Sequence, residues 1–303
     1  MQILVAGASG FVGTILSAEL EKRGHKVFRA DKANAEYLFD LRDRSSMEKL
    51  LKTSDFDTVI FLAGISNVAT AWEYPAETFA INTTGALTFF ESCLAINPKV
   101  KFIFAGSAGE YGRACTGGKP FHENDCCNPD NPYAVSKSSA AQTMKMLAAK
   151  HGTQFIHLRL ANHYGPGQQK GFAAADFASQ IAEKKQNSDN SEIKVGNLET
   201  QKDFLYIDDV IEAYIKIIET PHLQHNTYNI GTGNPVPVRR ILEILLACSG
   251  ITSEITVDPK KLRNADTGVM SLDITRIKKE LNWSPRTSLE DGLQKTLQYW
   301  LNK

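Results

Sequence analysis

The apolar run Ile3-Leu4-Val5-Ala6 breaks directly into Gly7-Ala8-Ser9-Gly10-Phe11-Val12-Gly13, and this junction constrains the chain more than any other part of it. A glycine-rich turn between a buried strand and a helix lets the main chain approach a pyrophosphate and aims the helix N-terminus at it. A second segment, Tyr133-Ala134-Val135-Ser136-Lys137, supplies the matching chemistry. A Tyr and a Lys four apart share one face of a helix, where the ammonium can lower the phenol's pKa from its ordinary value of about 10. Together the two segments imply a nicotinamide cofactor with a proton donor beside it. Each has a decoy elsewhere in the chain. Gly106-Ser107-Ala108-Gly109-Glu110-Tyr111-Gly112 repeats the glycine spacing but runs into Arg113-Ala114-Cys115-Thr116-Gly117-Gly118, which cannot open a helix. Tyr299 and Lys303 repeat the Tyr/Lys spacing at the C-terminus, where fraying disfavours a site.

The first half alternates apolar strands with amphipathic helices, the pattern of a parallel sheet covered on both faces. Strands are expected at Gln2–Ala6, Lys26–Ala30, Thr58–Leu62, Lys101–Ala105 and Gln154–Leu160, and helices at Phe11–Arg23, Ser45–Thr53, Glu77–Ile96 and Pro132–His151. Asn131 as N-cap with Pro132 at the first helical position starts the last of these, and Gly152 ends it. After Leu160 the rhythm changes. Asn162-His163-Tyr164-Gly165-Pro166-Gly167-Gln168 is too turn-rich for regular structure, and Gln186–Ser191 reads as a solvated loop. Further helices are expected at Ala174–Lys184, Ile207–Glu219, Val238–Ser249 and Ser288–Leu301. The fold expected is therefore α/β, a Rossmann-type doubly wound parallel sheet with a smaller C-terminal α/β substrate lobe. Residues 1–160 would form the NAD(P)-binding domain, with a return to it near 204–231, and residues 161–303 would form mainly the substrate lobe.

Lys plus Arg equals Asp plus Glu at 34 each, so charge gives no reason to expect nucleic acid or an anionic membrane as partner. No apolar stretch reads as long enough to span a bilayer. The five cysteines form no Cys-x-x-Cys pair, which argues against a disulfide framework or a zinc site and for a reduced, cytoplasmic protein. No metal is expected.

Asp31 ends the second strand, where its carboxylate can accept hydrogen bonds from an adenosine ribose and repel a 2′-phosphate. NAD(H) is therefore preferred, although Arg29 and Lys32 flank the position and leave NADP(H) open. Asp40 and Leu41, after Tyr37-Leu38-Phe39, are candidates for the adenine pocket. Leu62-Ala63-Gly64 lacks the bulk that would block the ribose-diphosphate. With Ser9, Gly10, Phe11, Val12 and the outer glycines of the turn, these form the candidate cofactor site.

The Gly7/Gly10/Gly13 turn, Leu62-Ala63-Gly64, Asn82, Ser107, Tyr133 and Lys137 resemble the extended short-chain dehydrogenases that act on nucleotide sugars, the NAD-dependent epimerase/dehydratase family. The resemblance runs on through Arg159-Leu160-Ala161-Asn162, Lys202 to Val210, Tyr228-Asn229-Ile230-Gly231-Thr232-Gly233 and Asn282-Trp283-Ser284-Pro285. It implies Ser107, Tyr133 and Lys137 as the catalytic set. Hydride addition to a carbonyl builds negative charge on oxygen, so Tyr133 would be the acid, Ser107 a second donor, and Lys137 the cation that tunes the phenol and binds the nicotinamide ribose. The segments Asn162 to Gln168, Val195-Gly196-Asn197-Leu198 and Asp258 to Arg263 look most like GDP-4-keto-6-deoxy-mannose reductases. By that likeness Asn162 would contact the sugar-diphosphate and Arg263, with Lys202, the pyrophosphate. Lys202 stands where the family usually has Arg, Asn264 where the reductases have Pro, and Asp31 where NADPH-preferring members carry a basic residue. Gly109 stands where 4,6-dehydratases carry Glu, and Glu110 would point elsewhere on an extended segment.

The reading is thus an NAD(P)H-dependent reductase of a nucleotide-linked 4-keto-6-deoxy sugar. A nucleotide-sugar 4-epimerase is the alternative within the family, and a non-catalytic NAD(P)-binding sensor is the alternative outside it. The intact Ser107/Tyr133/Lys137 set argues against the sensor. Similar enzymes also imply a homodimer through Glu77–Ile96 and Pro132–His151, with Leu87, Phe90, Leu94, Met144 and Leu147 supplying apolar surface.

Overall fold

The computed structural model describes residues 1–112, 119–187, 192–262 and 268–303. Strand and helix alternate as β1 (Gln2–Ala6), α1 (Phe11–Lys22), β2 (Lys26–Asp31), β3 (Tyr37–Leu38), α2 (Arg44–Leu51), β4 (Thr58–Phe61), α3 (Val68–Glu73), α4 (Pro75–Phe79), α5 (Ala86–Ile96), β5 (Lys101–Ala105), α6 (Pro132–His151) and β6 (Phe155–Leu160). Shorter strands then separate the helices: β7 (Asn162–Tyr164), α7 (Ala173–Asn187), β8 (Ile193–Val195), β9 (Gln201–Lys202), β10 (Phe204–Tyr206), α8 (Ile207–Glu219), β11 (Thr227–Ile230) and β12 (Val236–Pro237). The chain ends with α9 (Val238–Ser249), β13 (Ile255–Val257), β14 (Val269–Met270), α10 (Thr275–Leu281) and α11 (Leu289–Leu301).

Seven strands make one parallel sheet in the order β11-β6-β5-β4-β1-β2-β3. The order reverses at β1 and β4, the kind of switch point beyond whose carboxyl ends ligands bind in such sheets. Alternation along the strands explains their nearly continuous apolar sequences. Ile3, Val5, Ile60, Ile103 and Ile156 face one cluster with Leu16 and Leu20 of α1 and Val210 and Ile211 of α8. Leu4, Ala6, Val59, Phe61, Phe102 and Phe104 face the other, with Met47, Phe89, Phe90 and Met144 from α2, α5 and α6. This is a doubly wound Rossmann-type sheet.

Several expectations change. Phe90, Leu94 and Met144 are buried within the chain, and Leu87 and Leu147 pack partly buried on the same cluster, because the aromatic face of β4, β5 and β6 must be covered. Phe90, Leu94 and Met144 are therefore core residues, and only Leu87 and Leu147 keep part of their apolar surface open. A π-helical turn, Ala80–Gly85, joins α4 to α5, so Pro75–Ile96 is one helix of 22 residues. By length and composition this helix could cross a membrane, contrary to the sequence reading, yet Phe89, Phe90, Cys93 and Leu94 bury its apolar face on the sheet. Asn162–Tyr164 is a strand despite its turn-rich neighbours, since β7 pairs in parallel with β10. Gln186 and Asn187 finish α7 instead of starting a loop, and the rest of that stretch, 188–191, lies outside the described residues.

Lys101 ties the sheet to its cover. Its ammonium, on a residue only 7% exposed, donates to the carbonyls of Ile217 (3.0 Å), Ile218 (3.1 Å) and Thr220 (2.6 Å) at the end of α8. Those carbonyls have no further turn of helix to accept from. Lys101→Met keeps the apolar stem but strands the acceptors, and should lower unfolding free energy by about 2 kcal/mol. Denaturant titration measures it, and a midpoint equal to wild type would show that water replaces the ammonium without cost.

Candidate active site

The glycine turn is shaped by contacts that leave no space for side chains. Gly7 has φ +93°, and a Cβ there would lie 2.6 Å from Ala63 N. A Cβ on Gly13 would overlap Gly7 O and come within 2.8 Å of Ala8 Cα. The main chain of the turn is therefore seated directly on the end of β4 and under the first turn of α1. Gly10 is the N-cap of α1 and has no side chain to cap it, so the first-turn N–H groups, Phe11 and Val12 among them, are open to an anion. These features fit a dinucleotide pyrophosphate.

Asp31 ends β2 beside this turn. One carboxylate oxygen accepts the Ser9 N–H at 3.0 Å and the other the Lys32 N–H at 2.7 Å, which fixes the group and leaves lone pairs for ribose hydroxyls. Ser9 Oγ donates to Ala33 O at 2.8 Å, closing the loop around it. Of the two cations expected to flank Asp31, Arg29 is held bidentately by Glu21 of α1 at 3.0 and 2.6 Å. Such a surface pair adds little stability, but it fixes where the guanidinium points. Asp40 is also engaged. Its hydrogen bonds from the Arg42 side chain and main chain hold its carboxyl below the usual carboxylate range. Leu41 is partly buried against the core, and its carbonyl would be met at 2.5 Å by a Cβ on Gly85.

The catalytic candidates converge at the carboxyl ends of β4 and β5. Asn131 caps α6 by accepting the Ala134 N–H at 3.0 Å, which sets the first turn that carries Tyr133 and Lys137. Lys137 is buried, donates to Ala105 O at 3.0 Å, and lies 5.0 Å from the centre of the Phe104 ring. A Cβ on Gly64 would be 3.8 Å from its Nζ. Burial lowers the Lys137 pKa to about 8, partly opposed by Glu110. Burial pushes the Tyr133 phenol up to about 12; the Ser107 hydroxyl against it opposes the rise and Glu110 adds to it. The net shift runs opposite to the lowering expected from the Tyr/Lys spacing. The ammonium is turned toward Ala105, and exclusion of solvent dominates at the phenol.

Three neighbours named in the sequence without a structural role acquire one here. Asn82, in the π-helical turn, clasps Ile65 through both its N–H and its carbonyl at 2.8 and 2.9 Å and donates to Ser136 Oγ at 3.2 Å, bracing β4's outlet against α6. Asn82 belongs to the family resemblance, and a polar Asn-Thr-Thr triplet inside an apolar helix marks it locally. His163 stacks on Phe11 with ring centroids 6.1 Å apart. Glu110 is not on an extended segment: Ala108–Tyr111 is a 3-10 turn capped by Ser107, and the Glu110 carboxylate folds back into the interior. Ser107-x-x-Glu110 is the pattern of a capping box, a signal that was present in the sequence. The second glycine triplet thus opens this short turn, and Arg113 to Gly118 lie outside the described residues.

The substrate candidates are only partly brought together. Asn162 is exposed at the start of β7, with its amide 3.5 Å from the carbonyl of Asp203, the residue that follows Lys202 of β9. Arg263 and Asn264 lie outside the described residues.

A model of the NAD dependent epimerase/dehydratase family matches residues 3–231. GDP-6-deoxy-D-mannose reductase from Pseudomonas aeruginosa is 30% identical over 300 residues, covering 99% of this chain and 97% of the relative. The structure of RMD from Pseudomonas aeruginosa complexed with NADPH superposes with a TM-score of 0.89 at 29% identity, covering 99% of each chain. UDP-glucose 4-epimerase from Thermotoga maritima, solved with UDP-glucose, gives a TM-score of 0.90 at 28% identity, covering 100% of this chain and 99% of the other.

Two outcomes follow from the geometry. Asp31→Ala should narrow the preference for NADH over NADPH, and Glu21→Ala, which frees Arg29, should favour NADPH by about tenfold, the weight of one charge-assisted hydrogen bond of about 1.5 kcal/mol. Fluorescence titration of both cofactors tests this, and a Glu21→Ala protein with unchanged preference would show that Arg29 cannot reach a 2′-phosphate. The second concerns pH. With its pKa at about 8, Lys137 loses its charge as pH rises through that value, so turnover should fall on that side. Lys137→Arg, charged throughout that range, should remove the decline; a wild-type profile level across it would contradict the assignment.

Proposed function

The chain belongs to the NAD dependent epimerase/dehydratase family, and on that footing we propose that it is a reductase of a nucleotide-linked 4-keto-6-deoxy sugar, GDP-linked by preference. It uses NAD(H) in preference to NADP(H). The observation that carries the reading is the meeting of Ser107, Tyr133 and Lys137 at the strand ends beside the glycine turn, in a chain that aligns along 99% of its length with a GDP-6-deoxy-D-mannose reductase.

The nicotinamide, when bound, supplies the hydride for C4 of the sugar. The chain's residues do the rest. Tyr133, with its pKa raised to about 12, stays protonated at physiological pH and gives its proton to the carbonyl oxygen as negative charge develops there. Ser107, beside it, donates a second hydrogen bond to the same oxygen. Lys137 sits where an ammonium can hold a ribose hydroxyl and support the departure of the phenolic proton. Asn162, Lys202 and Arg263 would anchor the sugar-diphosphate, with Lys202 acting as a point charge where Arg would bind two oxygens. Gly109 cannot supply the carboxylate that elimination of water needs, which disfavours a dehydratase.

A 4-epimerase is the second reading, favoured by the likeness to the Thermotoga maritima UDP-glucose 4-epimerase. GDP-, UDP-, dTDP- and CDP-linked 4-keto-6-deoxyhexoses, assayed by NADH oxidation, separate the two. The GDP-linked compound should be reduced fastest, and Tyr133→Phe should cut its turnover about a hundred to ten thousand-fold while leaving cofactor affinity unchanged. Interconversion of UDP-hexoses with no ketoreduction would transfer the protein to the epimerases.

A further inference from the structure

Directly behind Ser107 lies a carboxylate for which the reaction has no direct use. Glu110 is 1% exposed, and it is not idle. Its Oε1 accepts the Ser107 main-chain N–H at 2.8 Å and meets His157 Nε2, from β6, at 2.9 Å. Arg159, two residues further along β6, brings its Nε to 4.0 Å from Oε2. Burial alone would push this carboxyl up; His157, the Ser107 N–H and Arg159 overcome that and hold it below the ordinary value. Gly106 has no room for a side chain, because a Cβ there would overlap both His157 and Glu110.

The neighbouring residues complete a rigid seat. Tyr111 donates to Asn229 Oδ1 at 2.7 Å, and the Arg159 guanidinium lies 4.6 Å from its ring centre. The 3-10 turn that carries Ser107 is therefore pinned at one end to β6 and at the other to β11. A buried charge is costly unless paired and hydrogen-bonded, and an apolar side chain would fill this volume more cheaply. Holding a carboxylate here makes physical sense when its direction matters.

We propose that Glu110 is a positioning residue for Ser107: anchored by His157 and Arg159 on β6, it fixes the Ser107 main chain so that the hydroxyl is held toward the Tyr133 phenol. The inference rests on the proposed function only in taking Ser107 as a donor to the reacting oxygen.

The test pairs Glu110→Gln, which keeps an acceptor for the Ser107 N–H, with Glu110→Ala, which removes it. The alanine variant should lower kcat about tenfold or more with KM and cofactor affinity unchanged, and the glutamine variant should recover most of that loss. Because the effect passes through Ser107, adding Glu110→Ala to Ser107→Ala should cost nothing further; an additive loss would mark a merely structural role and overturn the proposal. Crystal structures of both variants give a readout free of activity. Ser107 Oγ should leave the phenol in the alanine variant and keep its place in the glutamine variant; an unmoved Ser107 in the alanine variant would overturn the proposal. If Glu110→Ala does not fold, the glutamine variant decides: a rate as low as that of Ser107→Ala with Ser107 in place would show that charge, not position, is the role. Should no sugar nucleotide be turned over, the reading of the reaction falls, while the crystallographic position of Ser107 still judges this inference.

Discussion

Gly7, Gly13 and Ala63 meet main chain to main chain, and the cofactor side of the molecule is arranged around that meeting. β1 delivers Gly7 against the end of β4 so closely that a Cβ would sit 2.6 Å from Ala63 N, and Gly13 brings α1 down onto Gly7. Any side chain at either glycine would push α1 away from the sheet. Leu16 and Leu20 would then lift off Ile3, Val5 and Ile60, and the N-terminus of α1 would no longer aim at the strand ends. The same close approach sets the core and the anion site, so packing and binding cannot be tuned independently here.

Solvent exclusion governs the chemistry at the other end of the strands. Burial moves Tyr133 and Lys137 in opposite directions, and the Glu110 charge raises both. The result is a phenol that keeps its proton and a lysine whose charge, weakened by burial, is supported by Glu110. Its ammonium donates to Ala105 O. A buried carboxylate one layer back supplies the compensating field without touching the phenol, which leaves Tyr133 free to face a reacting oxygen.

Much of this was legible in the sequence where local chemistry decides. Helix α6 begins and ends at the expected residues because Asn131, Pro132 and Gly152 act locally, Gly152 in the left-handed conformation at φ 71°. The sheet strands were legible because burial on both faces leaves unbroken apolar runs. What local pattern could not supply was partnership. β7 exists because β10, some forty residues on, pairs with it. Phe90, Leu94 and Met144 have helical periodicity that fits an interface as well as a core, and only the aromatic face beneath them decides. At Tyr133 the sequence reveals a lysine one turn away but not where its ammonium points.

The motifs that carried the family resemblance are far apart in the chain, and the structure gives a physical reason for their recurring together. Asp203, fully buried, accepts the Thr232 N–H at 2.8 Å, the Thr232 hydroxyl at 2.6 Å and the Gly233 N–H at 2.8 Å. Asp209 accepts the Arg286 and Thr287 N–H groups at 2.8 and 3.0 Å, and its carbonyl accepts from the Trp283 indole at 3.1 Å. Asn229 donates to Phe121 O and Asp273 O while accepting from Tyr111. Buried hydrogen bonds therefore tie the segment around Lys202–Val210 both to Thr232–Gly233 and to Trp283–Thr287, and a separate set joins Asn229 to Tyr111, Phe121 and Asp273. Loss of a single partner would leave a desolvated carboxylate or amide unmatched, at about 1–3 kcal/mol for each group. Through Tyr111, Asn229 of β11 ties the turn bearing Ser107 to the sheet and to the Phe121 and Asp273 main chain, so the seat of the serine depends on residues from both halves of the chain.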